Sequence, residues 1–202
     1  MNNIARKTKS FLNIISGKGR SLPEDRWDAE YGNGGWDHLR GLEEVCRYSV
    51  ITGYIRFFKP GASVLDLGCG EGLLLKRFCP ESYSHYTGVD LSEGALNLAK
   101  GKYEKAVFIK EDVDKYQTSE SFDVIVFNEL LYYVEEPLKT LRRYDKNLAE
   151  KGVHVVSIHN KWRSRFIIRK IKLEYRLIDE VTIRKESGLS WTCMVLEPAG
   201  RA

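Results

Sequence analysis

Three glycines at alternate positions, Gly68, Gly70 and Gly72, separate an apolar run from a leucine cluster. Ahead of them Val64, Leu65 and Leu67 surround Asp66; behind them come Leu73, Leu74, Leu75 and Phe78. The apolar run reads as a buried strand of a parallel sheet, and the leucines as the start of a helix. Together they form a cradle. Glycine lets the backbone turn sharply and lets a ligand approach the main chain without meeting a Cβ. A helix start adds unpaired N–H groups and partial positive charge. Tyr86 to Asp90 then reads as a second strand ending in a carboxylate, twenty residues after Gly70. An acid there accepts hydrogen bonds from both hydroxyls of a ribose; the alternative, that Asp90 only starts the next helix, is weaker because Ser92 can do so. The dinucleotide fingerprint Gly-x-Gly-x-x-Gly is one residue longer than this loop, and such a loop also occurs as an ordinary tight turn.

Asp66-Leu67-Gly68-Cys69-Gly70-Glu71-Gly72, followed by Gly88-Val89-Asp90-Leu91-Ser92, resembles the first two motifs of the class I S-adenosylmethionine-dependent methyltransferases. The resemblance extends from Leu39 to Pro198. It implies an α/β, Rossmann-like three-layer sandwich with a mostly parallel seven-stranded sheet and a reversed last strand. It also implies S-adenosylmethionine as methyl donor, S-adenosylhomocysteine as product, and cofactor contacts at Asp66, Gly68, Cys69, Gly70, Asp90 and Leu91. By position in that family, Asp112 with Val113 at the end of a third strand, Ala106 to Ile109, receives the adenine amino group. A carboxylate suits an exocyclic N–H₂ because it only accepts.

These residues need a scaffold to bring them together. Phe122 to Phe127 is the clearest strand, and it runs into Asn128, Glu129, Leu130, Leu131, Tyr132 and Tyr133. Strand ends at a topological switch point face the ligand crevice, so Asn128 and Glu129 are expected beside the transferred methyl, with Tyr132 as a candidate active-site hydroxyl. A helix is expected from Pro137, whose missing N–H costs nothing there, to Lys151-Gly152. A fifth strand, Val153 to Ile158, leads into His159, the first candidate for a general base because it titrates near neutrality; Glu129 is the second. Two strands, Leu177 to Ile183 and Ser190 to Glu197, close the chain as a hairpin. A terminal hairpin separates the methyltransferase reading from a dehydrogenase better than the glycine loop does.

Before the first strand, His38 to Phe58 reads as a helix ended by Lys59-Pro60-Gly61, on which Arg47 reads either as a partner of the cofactor's carboxylate or as a solvated helix charge. Trp27 to Asp37, with three glycines and three large aromatics, reads as a loop; its aromatics either anchor it to the core or, as the resemblance suggests for Tyr31 and Trp36, sit at the active-site mouth. Residues 1–38 are therefore expected to be a basic and aromatic helical extension and lid, and residues 39–202 the catalytic domain. Residues 1–20 hold five basic side chains and no acid. They read either as a packing helix or as a basic amphipathic segment touching a membrane surface or an anion. A removable targeting peptide has similar composition, against which stands the start at Met1. From Lys161 to Arg176 seven basic residues and one acid interleave with Phe166, Ile167, Ile168 and Ile171; the segment reads as a solvated amphipathic helix or as a grip on an anionic acceptor.

With 202 residues and 43% hydrophobic content the chain can bury one sizeable core. No apolar run approaches the ~20 residues of a membrane span. Four scattered cysteines without a Cys-x-x-Cys pair suggest neither a metal site nor a disulfide framework and make a reducing cytoplasm the default. The place after the fourth strand lacks the Asn/Asp-Pro-Pro-aromatic run of DNA adenine methyltransferases, so no DNA partner is expected. The readings left open are O- or N-methylation of a small or sugar-bearing, anionic acceptor by a monomer or homodimer, an NAD-dependent oxidoreductase, and a non-catalytic nucleotide-binding module.

Overall fold

A computed structural model describes residue 19, residues 23–79 and residues 82–200. The N-terminal basic segment, and with it the expected membrane contact, lies outside the described residues apart from Gly19. Seven strands form one sheet: β1 Ala62–Leu67, β2 Tyr83–Asp90, β3 Ala106–Lys110, β4 Phe122–Asn128, β5 Leu148–His159, β6 Tyr175–Arg184 and β7 Ser190–Pro198. Their order is β3-β2-β1-β4-β5-β7-β6. The first five pair in parallel, and β7 runs antiparallel to both β5 and β6. This is the expected Rossmann-like sheet with one reversed strand. The order reverses between β1 and β4, which is where the crevice of such a sheet opens.

Alternation along the strands feeds two cores. Leu65, Leu67, Ile125, Phe127, Val156 and Ile158 face one side, where helices α4 Pro137–Arg143 and α5 Ser164–Glu174 pack. Val64, Val124, Val126, Val153 and Val155 face the other, against Tyr48, Ile51 and Ile55 of α2 Leu42–Phe58. Register brings the chemistry to one edge: Leu67 pairs with Val89 and Phe127, Asn128 with Ser157, and His159 with Trp191. The residues following these pairs, Gly68, Asp90 and Glu129, therefore meet at the carboxyl ends of β1, β2 and β4.

Several elements differ from the sequence expectation. The segment after Gly72 is not a regular helix; turns lead into a single 3₁₀ turn, Leu75–Arg77, which ends where Phe78 takes an extended backbone. The expected loop at Trp27 begins instead as α1 Glu24–Gly32. Glu24 and Asp25 favour the positive end of that helix, and its glycines, residues 32, 34 and 35, come only at and after its end. The expected helix from His38 divides at Gly41 into a 3₁₀ turn, Asp37–Arg40, and α2. Helix α4 stops at Arg143 rather than Lys151. There the Tyr144 hydroxyl donates to the Val113 carbonyl at 2.6 Å, and the Asn147 amide donates to the carbonyls of Thr118 and Glu120 at 3.0 Å each. These tertiary bonds draw the chain off the helix and into β5. Ser92 caps α3 Glu93–Ala99, its Oγ accepting from the Ala95 N–H at 3.1 Å.

Gly88, in the middle of β2, lies under the glycine turn. A Cβ added there would stand 2.8 Å from Cys69 Sγ and 2.9 Å from Phe108 Cδ1. Gly88→Ala is expected to cost about 1–3 kcal/mol of stability through overpacking, read from urea unfolding midpoints; an unshifted midpoint would show that the turn yields freely.

Candidate active site

A cleft of about 530 Å³ opens at the carboxyl edge over β1, β2, β4 and β5, within the ordinary size range of small-molecule sites. Its floor is the glycine turn. Gly68, Gly70 and Gly72 all have left-handed backbones, with φ of 72°, 54° and 74°. A side chain at any of them would be strained, so the alternate spacing is a conformational requirement. The turn is tied to β2. The N–H groups of Gly68 and Cys69 both donate to the Val89 carbonyl, at 2.8 and 3.1 Å. The Gly70 N–H donates to Asp90 Oδ2 at 2.7 Å, and the Ser92 N–H to Asp90 Oδ1 at 2.9 Å. Burial pushes the Asp90 carboxyl up, against the pull of these N–H donors and that of Leu91.

Of the residues expected at a cofactor, Gly68, Cys69, Gly70, Asp90 and Leu91 line this half of the cleft, and Asp112 and Val113 line it at the end of β3. The Asp112 carboxylate is oriented by the Asp114 N–H at 2.9 Å. Asp66 does not reach the cleft. It is 1% exposed and lies on the α2 face of β1, where Tyr86 donates its hydroxyl to Oδ2 at 2.5 Å and Oδ1 has no hydrogen-bond partner. Its alternation with Leu65 and Leu67 puts it there. Burial raises its carboxyl from the ordinary 3.8 to about 7.

Helix α1 roofs the cleft. Trp27 and Trp36 stack at 5.6 Å, and Trp27 meets Tyr133 edge-on at 4.9 Å. The Tyr31 hydroxyl stands 2.6 Å from where a Cβ on Gly70 would be, so the helix closes onto the turn at that glycine. Two polar latches hold the roof. Asp28 Oδ1 accepts from Ser92 Oγ at 2.6 Å, and Arg40 grips Glu71 bidentately at 2.8 and 2.6 Å.

The other half of the cleft is a single polar network. Arg47, 1% exposed, donates from Nη2 to Glu44 Oε2 at 2.6 Å and from Nε to the same oxygen at 3.1 Å. Its Nη1 donates to Asn128 Oδ1. Ser157 Oγ donates to Asn128 Oδ1 at 2.8 Å and lies 3.2 Å from Glu129 Oε1, while the Tyr132 hydroxyl donates to Glu129 Oε2 at 2.8 Å. Glu129 holds φ = 60°, a strained backbone for a non-glycine residue that is over-determined by these contacts. Burial raises its carboxyl, against Arg47 and the two hydroxyls. Burial pulls Arg47 down, but Glu129, Tyr48 and Glu44 outweigh it and hold it above its ordinary value. With Glu44 and Asn128 engaging it, Arg47 serves the wall of the cleft rather than standing free as a carboxylate grip. His159 stacks on Trp191 at 5.6 Å. Burial and then Lys161 lower its pKa, which keeps it neutral and able to accept a proton at neutral pH.

Sequence reading missed Glu44, Ser157 and Trp191. The i,i+3 spacing of Glu44 and Arg47 was an available signal for an ion pair. Ser157 offers none, since it is set beside Asn128 only by the β4–β5 register. Among the described residues no group of three or more His, Cys, Asp or Glu side chains is arranged to hold a metal ion, and no helix is long and apolar enough to cross a membrane.

The profile of a methyltransferase domain family matches residues 58–194. A ubiquinone biosynthesis O-methyltransferase of Nitrosospira multiformis is 30% identical over 70% of this chain and 63% of its own length. A malonyl-[acyl-carrier protein] O-methyltransferase of Bacillus anthracis is 24% identical over 60% of this chain and 47% of its own length. The chain thus spans about half the length of the first curated relatives it matches. Among solved structures, the N-methyltransferase NodS of Bradyrhizobium japonicum WM9 with S-adenosyl-l-homocysteine superposes with a TM-score of 0.70 at 18% identity, over 81% of this chain and 91% of that one.

Two consequences concern the buried charges. Removing Arg47 leaves both Glu44 and Glu129 without their cation, so Arg47→Met is expected to destabilise by about 3–5 kcal/mol, part of it restored in Glu44→Leu/Arg47→Met, which still leaves Glu129 unbalanced; equal losses in both would contradict this. The raised Asp66 carboxyl favours folding most in acid. Its contribution is complete below the ordinary 3.8 and is lost as pH rises toward about 7. Asp66→Asn should therefore flatten the pH dependence of urea stability across that window, and a parallel profile would exclude the protonated carboxyl.

Proposed function

The chain belongs to the methyltransferase domain family, and we propose that it transfers a methyl group from S-adenosylmethionine to an oxygen or nitrogen of a small, anionic acceptor. The observation that carries this reading is the Asp90 carboxylate, pinned by the Gly70 and Ser92 N–H groups at the floor of the cleft. Beside these bonds and the pull of the Leu91 N–H, the carboxylate keeps acceptor capacity for ribose hydroxyls. The residues present fit the nucleoside: left-handed glycines under it, Asp112 and Val113 for the adenine edge, and the Tyr31, Trp27 and Trp36 roof to exclude water.

When bound, the sulfonium supplies an already activated methyl group. The chain's own work is then alignment and, for an O–H or N–H acceptor, proton removal. Asn128, Glu129 and Tyr132 shape the wall beside the reacting atoms. Glu129 accepts from the Tyr132 hydroxyl and stands beside Arg47, so it orients rather than abstracts. Neutral His159 takes the proton, and Lys161 at the rim attracts the acceptor's anionic group. Two of the curated relatives are O-methyltransferases by name and the solved structure of like fold is an N-methyltransferase, which supports an oxygen or nitrogen acceptor.

Calorimetric titration should show S-adenosylhomocysteine binding to the wild type and roughly 30-fold or weaker binding to Asp90→Ala, from the loss of two charge-assisted hydrogen bonds; undiminished affinity would remove Asp90 from the site. In an acceptor panel of small hydroxylated carboxylates and phosphates, turnover should fall as pH drops through a value below the ordinary histidine 6.5. Lys161→Ala should move that limb upward and His159→Ala should remove it. An unchanged profile in His159→Ala would take the histidine out of the reaction.

A further inference from the structure

Helix α5 presents two apolar stripes, and only one of them is used by the core. Ile167 and Ile171 are buried against the sheet. On the opposite side, Trp162 just ahead of the helix, then Phe166, Arg169 and Leu173, follow one another at spacings of four, three and four residues, which at 3.6 residues per turn is a single line of three apolar side chains interrupted by one arginine. Trp162 is 52% exposed and Leu173 75%; Phe166 meets the Trp162 ring edge-on at 6.3 Å. Basic side chains flank this line on both sides. Arg165 and Lys172 lie on one side, Arg163 and Lys170 on the other, and all four are exposed. Arg163 rests over the Trp162 ring at 5.7 Å. Neither Arg165 nor Arg169 forms an ion pair among the described residues; both border a shallow groove beside Ile168 and Leu173.

We propose that this outer face of α5 is a docking surface for an anionic phospholipid bilayer. Charge complementarity selects the partner's sign: between Lys161 and Arg176 seven basic side chains stand against one acid, Glu180 engages Lys172 and Glu197 engages Arg176, and the exposed Arg163, Arg165 and Arg169 keep the face basic, which an anionic membrane attracts. The apolar line selects a bilayer over a nucleic acid. An exposed leucine offers nothing to a phosphate backbone, whereas tryptophan and leucine flanked by arginine and lysine form the pattern of a helix lying in the headgroup plane, and tryptophan favours that interface. The position on the fold gives the surface a use. Trp162 follows Lys161, which lines the cleft mouth, so a docked helix sets the mouth against the headgroups. On the methyltransferase reading, the acceptor is then an amphiphile whose polar end reaches His159 and Lys161 while its tail stays in the bilayer. The docking itself does not depend on that reading.

Co-sedimentation of the full chain with vesicles tests it, using phosphatidylcholine alone and phosphatidylcholine mixed with phosphatidylglycerol. Binding is expected only to the mixed vesicles and should weaken as salt rises. Arg165→Glu/Arg169→Glu should reduce partitioning roughly tenfold or more. Trp162→Ala/Leu173→Ala should also reduce it, and should abolish a blue shift of tryptophan emission. All four side chains lie outside the cleft, so unaltered thermal melts and S-adenosylhomocysteine titrations certify the fold, and the latter separates this result from the fate of the methyltransferase reading. The proposal is overturned if neither vesicle binds, if both bind equally, if both double variants bind like the wild type (which would assign binding to another segment), or if the basic face prefers duplex DNA or RNA to the vesicles.

Discussion

The site is organised by one carboxylate that holds two strands in register at their ends. Asp90 closes β2 and accepts the Gly70 N–H from the turn after β1. Three alternate glycines of that turn are left-handed, a conformation glycine permits but does not by itself enforce. The carboxylate and the Val89 carbonyl, which accepts from Gly68 and Cys69, fix it from the neighbouring strand. The same acid lines the cleft, so on the proposed reading the group that shapes the cradle is also the group that grips what lies in it. Gly88 beneath and Tyr31 above belong to the same constraint, since each fills or vacates space that a Cβ would contest.

The opposite wall is built on a different principle. Glu44, Arg47, Asn128, Ser157, Glu129 and Tyr132 form one chain of hydrogen bonds running from α2 across β4 to β5. Buried ions are tolerable only when every partner is present, which makes the network stiff and its geometry specific. On the proposed methyl transfer such stiffness serves the alignment of donor and acceptor, which lowers the barrier of a displacement. His159, stacked on Trp191 and outside that network, is left as the group able to change protonation state without dismantling the wall.

Much of this was legible in the sequence because its signals are local. The glycine spacing, the strand ending at Asp90, the apolar run before Asn128 and the closing hairpin are each carried by neighbouring residues. What escaped depends on register or on tertiary pull. Asp66 sits within the glycine motif, yet the two-residue period of β1 turns it away from the cleft and under Tyr86. Ser157 meets Asn128 only through strand pairing. Helix α4 ends early because Tyr144 and Asn147 find partners on the loop before β4, a competition that no periodicity encodes. The aromatic segment from Trp27 reads as a loop by its glycines, but these come at its end, and the residues before them had room to form a helix.

The most direct measurement is the electron density of the protein crystallised with S-adenosylhomocysteine. The ribose hydroxyls should lie within hydrogen-bonding distance of Asp90, the adenine should lie against Asp112 and Val113, and the sulfur should face Asn128 and Tyr132. A nucleoside bound elsewhere, or a cleft that stays closed with Tyr31 against Gly70 at saturating ligand, would contradict the assignment.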